Sequence, residues 1–371
     1  MKADNIGLYV HIPFCVRKCT YCDFCSRPPS SDEQINAYIS ALCDEIRSYS
    51  GMDLSCDTVF FGGGTPSLLK PEQLEIIMNE LNKSFSITAD SEITLEANPG
   101  TASLDFLREY KLLGFNRISF GLQSIHENEL KILGRIHSYN DFLSSYHSAR
   151  DAGFDNINVD LMYGLPEQTK GSFIETLKSV ASLSPEHISV YGLILEEGTP
   201  LHLGREKFSF PNEDDECAMY YSACELLSSF GYSHYEISNY AKTGFECKHN
   251  IKYWKANEYV GLGLSAHSYL NEKRYSNTEN INEYLGGKYR NNTSVLSKED
   301  MEFEFAMLSL RLKDGFTETE FKARFGTDFI SKRKDIISKM EKLGLVQLFD
   351  DRILLTEQGF YLSNSVLTEL L

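Results

Sequence analysis

The sequence predicts an α/β protein: a partial (β/α)6, TIM-like barrel followed by a C-terminal winged-helix-like α+β domain. Three observations predict it. Short apolar runs alternate with amphipathic stretches over residues 6 to about 195. Polar residues collect just past the ends of those runs. After about residue 298 helical periodicity returns and closes on a hairpin pattern.

The apolar runs are Ile6–Ile12, Thr58–Phe61, Ile93–Glu96, Arg117–Gly121, Asn158–Met162 and His187–Leu193. Each is rich in β-branched or aromatic residues and ends near polar residues or glycine, the pattern of a strand. Between the first two, Ile35, Tyr38, Ile39, Leu42 and Ile46 recur at helical spacing behind Ser31-Asp32. Pro71 opens a second helix carrying Leu74, Ile77, Met78 and Leu81. Ser103 is placed to cap a third, with Gly114 just past its end, and a fourth runs from after Asn140 to near Gly153. Repeated βα units imply parallel strands with right-handed crossovers. Six units, rather than eight, give an incomplete barrel, whose chemistry belongs at the C-terminal strand ends. Cys15, Gly62-Gly63-Gly64-Thr65, Glu96, Gln123 and Asp160 fall there.

Three regions follow. Residues 1–195 form the barrel, and residues 196–297, rich in Tyr, Asn and Gly, break its rhythm and complete its core. Residues 298–371 carry Phe303, Phe305, Leu308 and Leu312 on one helix and Ile336, Ile337, Met340 and Leu343 on another. Leu345–Phe349 and Arg352–Leu355 flank Asp350-Asp351 as a hairpin, and a terminal helix follows. Such folds often bind DNA, but without a strong basic stripe a protein-contact or lid role is the expectation here.

The chain has 371 residues, 42% of them hydrophobic, and a net charge of −17. That excess of acid excludes broad, nonspecific binding to nucleic acid or anionic membrane. Lys332-Arg333-Lys334 is the one basic cluster to note, and it reads as a solvated helix face. Nine cysteines, six of them scattered singly, do not make a disulfide framework and fit a reducing cytoplasm. Met1 to Gly7 does not read as a signal peptide, and no run reaches the length of a transmembrane helix.

The most specific motif is Cys15-x3-Cys19-x2-Cys22, directly after the first strand. Three thiolates on one loop hold three irons of a cubane and leave the fourth open, whereas a fully protein-held cubane takes four cysteines. A zinc site that recruits Cys25 is the rival. Gly62-Gly63-Gly64-Thr65-Pro66 after the second strand lacks side chains where a backbone must approach a ligand, although a plain tight turn has the same composition.

The triplet after a strand resembles the signature of the radical S-adenosylmethionine enzymes. The resemblance implies a 4Fe-4S cluster whose open iron is chelated by the amino and carboxylate groups of S-adenosylmethionine. Residue by residue, it assigns Gly63, Gly64 and Thr65 to the methionyl amino group. Tyr9, Glu96, Gln123, Arg135 and Asp160 match positions near the cofactor in the coproporphyrinogen-oxidase-like branch. Tyr21, inside the triplet's loop, joins them as a candidate.

A second signature is Cys247-Lys248-His249-Asn250-Ile251-Lys252-Tyr253-Trp254. Histidine is a common axial ligand to heme iron, and Tyr and Trp offer flat surfaces to a porphyrin. A histidine beside aromatics is also an ordinary core residue. The pattern H-N-x-x-Y-W resembles the heme-binding motif of the HemW-type heme chaperones, which implies that His249, Asn250, Tyr253 and Trp254 hold heme. Cys247 is a candidate thiolate ligand or attachment point, but no C-x-x-C-H motif indicates c-type attachment. The stretch Leu355–Asn364 resembles the closing segment of the same branch. Oxygen-independent coproporphyrinogen III oxidases carry a fourth cysteine where this chain has Phe24, and a longer N-terminal extension. Both departures match the chaperone subgroup.

The resemblance therefore implies a heme chaperone that delivers heme to an acceptor hemoprotein, a respiratory one among the candidates. A reductant would serve the cluster, and a homodimer is allowed. The alternative is an enzyme, a radical oxidative decarboxylase of porphyrinogen propionates; a plain electron carrier, binding no S-adenosylmethionine, comes third.

Overall fold

A computed structural model describes residues 5–371. The expectation that no signal peptide opens the chain falls partly on residues 1–4, outside the described residues. Six parallel strands build the barrel wall: β1 (Ile6–Ile12), β2 (Ser55–Gly63), β3 (Ser86–Ala97), β4 (Arg117–Gln123), β5 (Ile157–Tyr163) and β6 (His187–Gly192). They pair in sequence order, as right-handed βα crossovers require. Every residue of β1, at the centre of the sheet, is buried except Tyr9. Ser31 and Ser103 cap the first and third of those helices by accepting from Gln34 N and Phe106 N.

The middle region extends the same sheet at both edges. On the β6 side come β7 (Ser233–Glu236) and β8 (Asn239–Ala241), with β8 antiparallel to β6. On the other side β9 (Tyr259–Leu262) pairs parallel with β1, from Gly7↔Tyr259 to Val10↔Leu262. Then β10 (His267–Leu270), β11 (Lys273–Asn277) and β12 (Arg290–Val295) follow, antiparallel, to the edge. The result is an open sheet of twelve strands. The helix Lys248–Trp254, which carries the H-N-x-x-Y-W pattern, lies against β2 just before β9.

A second core, around Phe305, Phe316, Phe321, Phe325 and Phe329, belongs to the C-terminal domain. Its sheet is small, with β13 (Phe316–Thr317), β14 (Val346–Phe349) and β15 (Arg352–Leu355) in the order β13-β15-β14. Helices Lys298–Ser309, Glu318–Phe325 and Lys334–Lys342 complete the winged-helix arrangement, and the terminal helix is split into Glu357–Tyr361 and Ser363–Leu370. Backbone bonds tie this domain to the barrel edge: Ile237 N donates to Arg311 O at 3.0 Å and Lys313 N to Tyr235 O at 2.9 Å. No helix among the described residues is long and apolar enough to cross a membrane.

Candidate functional site

The loop after β1 is built to hold its three thiols at the barrel mouth. Cys15 N donates to Arg27 O at 3.0 Å and Arg27 N to Pro13 O at 2.8 Å, so the loop returns on itself like a closed collar. Its middle is pinned to the helix Glu127–Ile132: Thr20 N donates to Leu133 O at 2.9 Å and Thr20 Oγ1 to Ile132 O at 2.8 Å. The glycine run continues the β1–β2 ladder, with Gly64 N on Ile12 O at 2.8 Å and Thr65 N on Phe14 O at 2.8 Å. A Cβ at Gly64 would lie 2.6 Å from Phe14 O, and one at Gly63 (φ +107°) would lie 2.4 Å from the His11 ring. Glycine is required there because the Ile12–Phe14 backbone and the His11 ring already occupy the space.

Cys15, Cys19 and Cys22 line one cavity of about 340 Å³, together with Tyr21, Gly63, Gly64 and Thr65. Glu96, Gln123, Arg135 and Asp160 line it too. The thiols, Tyr21, Gly63, Gly64, Thr65, Glu96 and Gln123 come from strand ends or the loops beyond them, whereas Asp160 stands in the middle of β5 and Arg135 just after the helix Glu127–Ile132. Thr65 Oγ1 donates to Cys15 Sγ at 3.5 Å, and Arg135 Nη1 to Cys19 Sγ at 3.5 Å. Arg135 Nη2 also donates to Asn98 Oδ1 at 2.6 Å and to Gly121 O. Burial pushes the Cys15 and Cys22 thiols up, and the Arg135 cation pulls Cys15 back down. Among the described residues, no three His, Cys, Asp or Glu groups close on a single-ion site. Cys25 stands apart. It lines a different cavity, and its carbonyl accepts from His11 Nε2 at 2.9 Å.

The carboxylates differ in setting. Glu96 Oε2 accepts from Gly63 N at 3.1 Å, while burial and the neighbouring Asp160 push its carboxyl up to about 8. Asp160 accepts from Ser119 Oγ at 3.0 Å and from Asn158 Nδ2 at 2.8 Å. Gln123 adopts a left-handed backbone (φ +73°), and its Oε1 is buried without a partner. Non-glycine residues hold that conformation at a cost, and such positions concentrate at binding sites.

A wider cavity of about 950 Å³ adjoins the first. Phe24, Phe60, Gly63, Glu96, Tyr191 and Asn250 line both. Tyr9, alone among the residues matched to S-adenosylmethionine, lines only the wider one. Its hydroxyl bonds His11 Nδ1 at 3.0 Å. Tyr253, Tyr259, Ala266 and Leu308 give the wider cavity apolar surface. Lys18 and Arg27 stand on its wall without a carboxylate partner among the described residues.

The second signature divides. Asn250 and Tyr253 face the wider cavity, but His249 lies behind it, 1% exposed, under the ring of Phe60 at 5.2 Å. Both its ring nitrogens are engaged, Nδ1 with Thr58 Oγ1 at 2.9 Å and Nε2 with Tyr253 OH at 2.8 Å. Burial and the cations of Lys252 and Arg117 push it down to about 3, so it is a neutral core imidazole. Trp254 lines neither cavity, and Arg311 sits over its ring at 5.9 Å. Cys247 is fully buried beside Glu92, with its thiol pushed up to about 12. As folded, it is inaccessible to a ligand or an attached porphyrin.

Sequence reasoning did not single out Asn98, Phe60 or Arg117. Asn98 Nδ2 donates to Thr65 Oγ1 at 2.8 Å and so links Thr65 to Arg135. Its place after Glu96-Ala97 at a strand end was the available signal. Arg117 opens β4 and points inward, 2% exposed.

Comparison with known proteins fits this geometry. The family model described as the Radical SAM superfamily matches residues 9–180, and the HemN C-terminal domain model matches residues 296–362. Heme chaperone HemW of Bacillus subtilis (strain 168) is 35% identical over 370 residues, covering 96% of this chain and 97% of the relative. Heme chaperone HemW of Escherichia coli (strain K12) is 34% identical, covering 88% of each chain. Among solved structures, the radical SAM enzyme coproporphyrinogen III oxidase (HemN) from Escherichia coli superposes with a TM-score of 0.87. It covers 99% of this chain and 90% of that one at 24% identity, a likeness of fold. The chain belongs to the HemW family of heme chaperones, within the radical SAM superfamily.

Proposed function

We propose that this chain binds heme in the wider cavity, binds a 4Fe-4S cluster with S-adenosylmethionine in the narrower one, and passes heme to an acceptor hemoprotein. The observation that carries this is the junction of the two cavities across Phe60, Gly63, Glu96 and Asn250. When bound, the cluster supplies an electron and an open iron to the sulfonium nucleotide. Cys15, Cys19 and Cys22 would hold three of its irons. Arg135 is the cation for the cofactor carboxylate, Gly63, Gly64 and Thr65 take its amino end, and Glu96 and Asp160 suit the ribose hydroxyls. Tyr21 and Gln123 close the wall around it.

On the other side, Phe60, Tyr253 and Tyr259 offer ring faces and edges to a porphyrin, and Lys18 and Arg27 offer charge to its propionates. Asn250 and Tyr253 would touch heme, while His249 and Trp254 support them from behind. All nine cysteines are unpaired, which supports a cytoplasmic setting where an external reductant can charge the cluster. The acceptor, and whether the chain acts as a homodimer, are further parts of the proposal.

The test is anaerobic reconstitution with iron, sulfide and S-adenosylmethionine, followed by heme titration and mixing with an apo-hemoprotein. Heme uptake and transfer are expected, without vinyl product from coproporphyrinogen III. Turnover of that substrate would favour the decarboxylase instead, and failure to bind heme would remove the chaperone reading.

A further inference from the structure

We infer that His267 is the side chain that ligates heme iron in this protein. The inference rests on the heme-binding proposal above and names a residue that the H-N-x-x-Y-W pattern does not contain.

Two histidines line the wider cavity, His11 and His267. An axial ligand needs a ring nitrogen with its lone pair free and open space in front of it. His11 has neither nitrogen free, since Nδ1 bonds Tyr9 OH at 3.0 Å and Nε2 bonds Cys25 O at 2.9 Å. His249 is worse placed. It is 1% exposed, and Thr58 and Tyr253 hold both its nitrogens. His267 is exposed, and no hydrogen bond to its ring occurs among the described residues.

The remaining donors on that wall are weaker candidates. The hydroxyl of Tyr9 is tied to His11, that of Tyr253 to His249, and that of Tyr259 accepts from Arg274 at 3.2 Å, while burial and the nearby Asp160 push the Tyr191 phenol well up, away from the phenolate that binds iron. The Cys25 thiol is half-buried, and burial pushes it up, away from the thiolate that binds iron.

The backbone under His267 is fixed. It opens β10, paired with Ser276 of β11. Gly261 of β9 lies so close that a Cβ there would stand 2.1 Å from His267 O, and Gly261 N donates to Ser268 Oγ at 2.9 Å. A ligand on a strand locked between neighbours is held more accurately than one on a free loop. Ser265 and Ala266, beside it, share the same wall, as do Tyr253 and Tyr259, whose rings are 4.5 Å apart. A porphyrin lying on that aromatic surface would present its iron to the His267 imidazole. The step is simple coordination. A neutral ring nitrogen gives its lone pair to iron, a water or solvent ligand leaves, and no redox change is needed.

The experiment is hemin titration of the reconstituted full-length protein, read by Soret absorption and by electron paramagnetic resonance, for the wild type, His267→Ala, His249→Ala and Cys25→Ala. In His267→Ala, affinity should fall roughly tenfold or more, and the histidine-ligated spectrum should be lost. Added imidazole should restore that spectrum, and the four-iron content should be unchanged. Cys25→Ala should keep the wild-type spectrum. His249→Ala should keep histidine ligation wherever it folds, with a lower Tm. An unaltered spectrum and affinity in His267→Ala overturn the inference, as does a switch of ligation in Cys25→Ala or in a folded His249→Ala. No heme uptake by the wild type overturns the underlying proposal as well, so the two failures are told apart.

Discussion

Glu92 of β3 caps the helix that begins at Lys248. Its Oε1 accepts from His249 N at 3.2 Å and from Cys247 Sγ at 3.5 Å, and its Oε2 accepts from Lys248 N at 3.2 Å. Its carboxylate also sits at the positive end of the helix dipole. A side chain of the barrel wall thus decides where the Asn250 and Tyr253 surface stands.

Glu92→Ala should leave two buried helix N–H groups without their acceptor and remove a negative charge whose field reaches the Arg117 cation. The expected loss is about 3 kcal/mol of stability, and heme binding should weaken as the helix shifts. Glu92→Gln keeps one acceptor oxygen and should lose less. Thermal unfolding of the reconstituted protein, with heme titration alongside, measures both. A Glu92→Ala protein as stable as wild type would show that the cap is idle.

Cys15→Ala, Cys19→Ala and Cys22→Ala should each abolish the four-iron cluster, whereas Cys25→Ala should leave it intact. Iron and sulfide analysis after anaerobic reconstitution decides. Loss of the cluster in Cys25→Ala would mean that the fourth thiol is a ligand.

Gly64→Ala should damage the cluster site from a distance. The new methyl would meet Phe14 O at 2.6 Å and Ile12 O at 2.8 Å, both in the ladder that aims Cys15. Overpacking of this kind costs roughly 1–3 kcal/mol. Lower cluster occupancy is expected at equal protein recovery, and full occupancy would show that the loop yields without moving Cys15.

Glu236 lies buried where the barrel edge meets the C-terminal domain, and burial pushes its carboxyl up to about 7 against the pull of Ser238 N and Asn239. A carboxyl raised in the folded state binds its proton more tightly there than in the unfolded chain. Its stabilising contribution is therefore complete below about pH 4.5 and is lost as pH rises to about 7. Over that window the change is on the order of 3 kcal/mol. Glu236→Gln should flatten this slope, gaining Tm relative to wild type at pH 8 and little at pH 5. Parallel Tm profiles for the two proteins would refute it.

The six barrel strands were readable because each is a β-branched run bounded by polar residues, and Ser31, Ser103 and Pro71 marked helix starts. The pairing of β9 with β1 was not. Tyr259–Leu262 is four residues long, and its partner lies about 250 positions away. The helix Glu318–Phe325 was missed because its apolar face reduces to Phe321 and Phe325. At the site, polar residues at strand ends were visible because their position alone marks them. Arg117 was not, since a charged residue opening a strand ordinarily faces water. Nor could the chain alone reveal that Thr58 occupies His249, because that contact joins residues 191 apart.

The central place of β1 has a consequence for how the molecule is made. Its neighbour β2 appears soon after it, but its other neighbour ends at Leu262. At roughly 5–20 residues per second of synthesis, a nascent chain waits on the order of ten seconds or more with that flank unpaired. Until then the collar of three thiols hangs from a half-built seam. Loading iron and sulfide into it is best timed after β9 has emerged, when β1 is braced on both flanks.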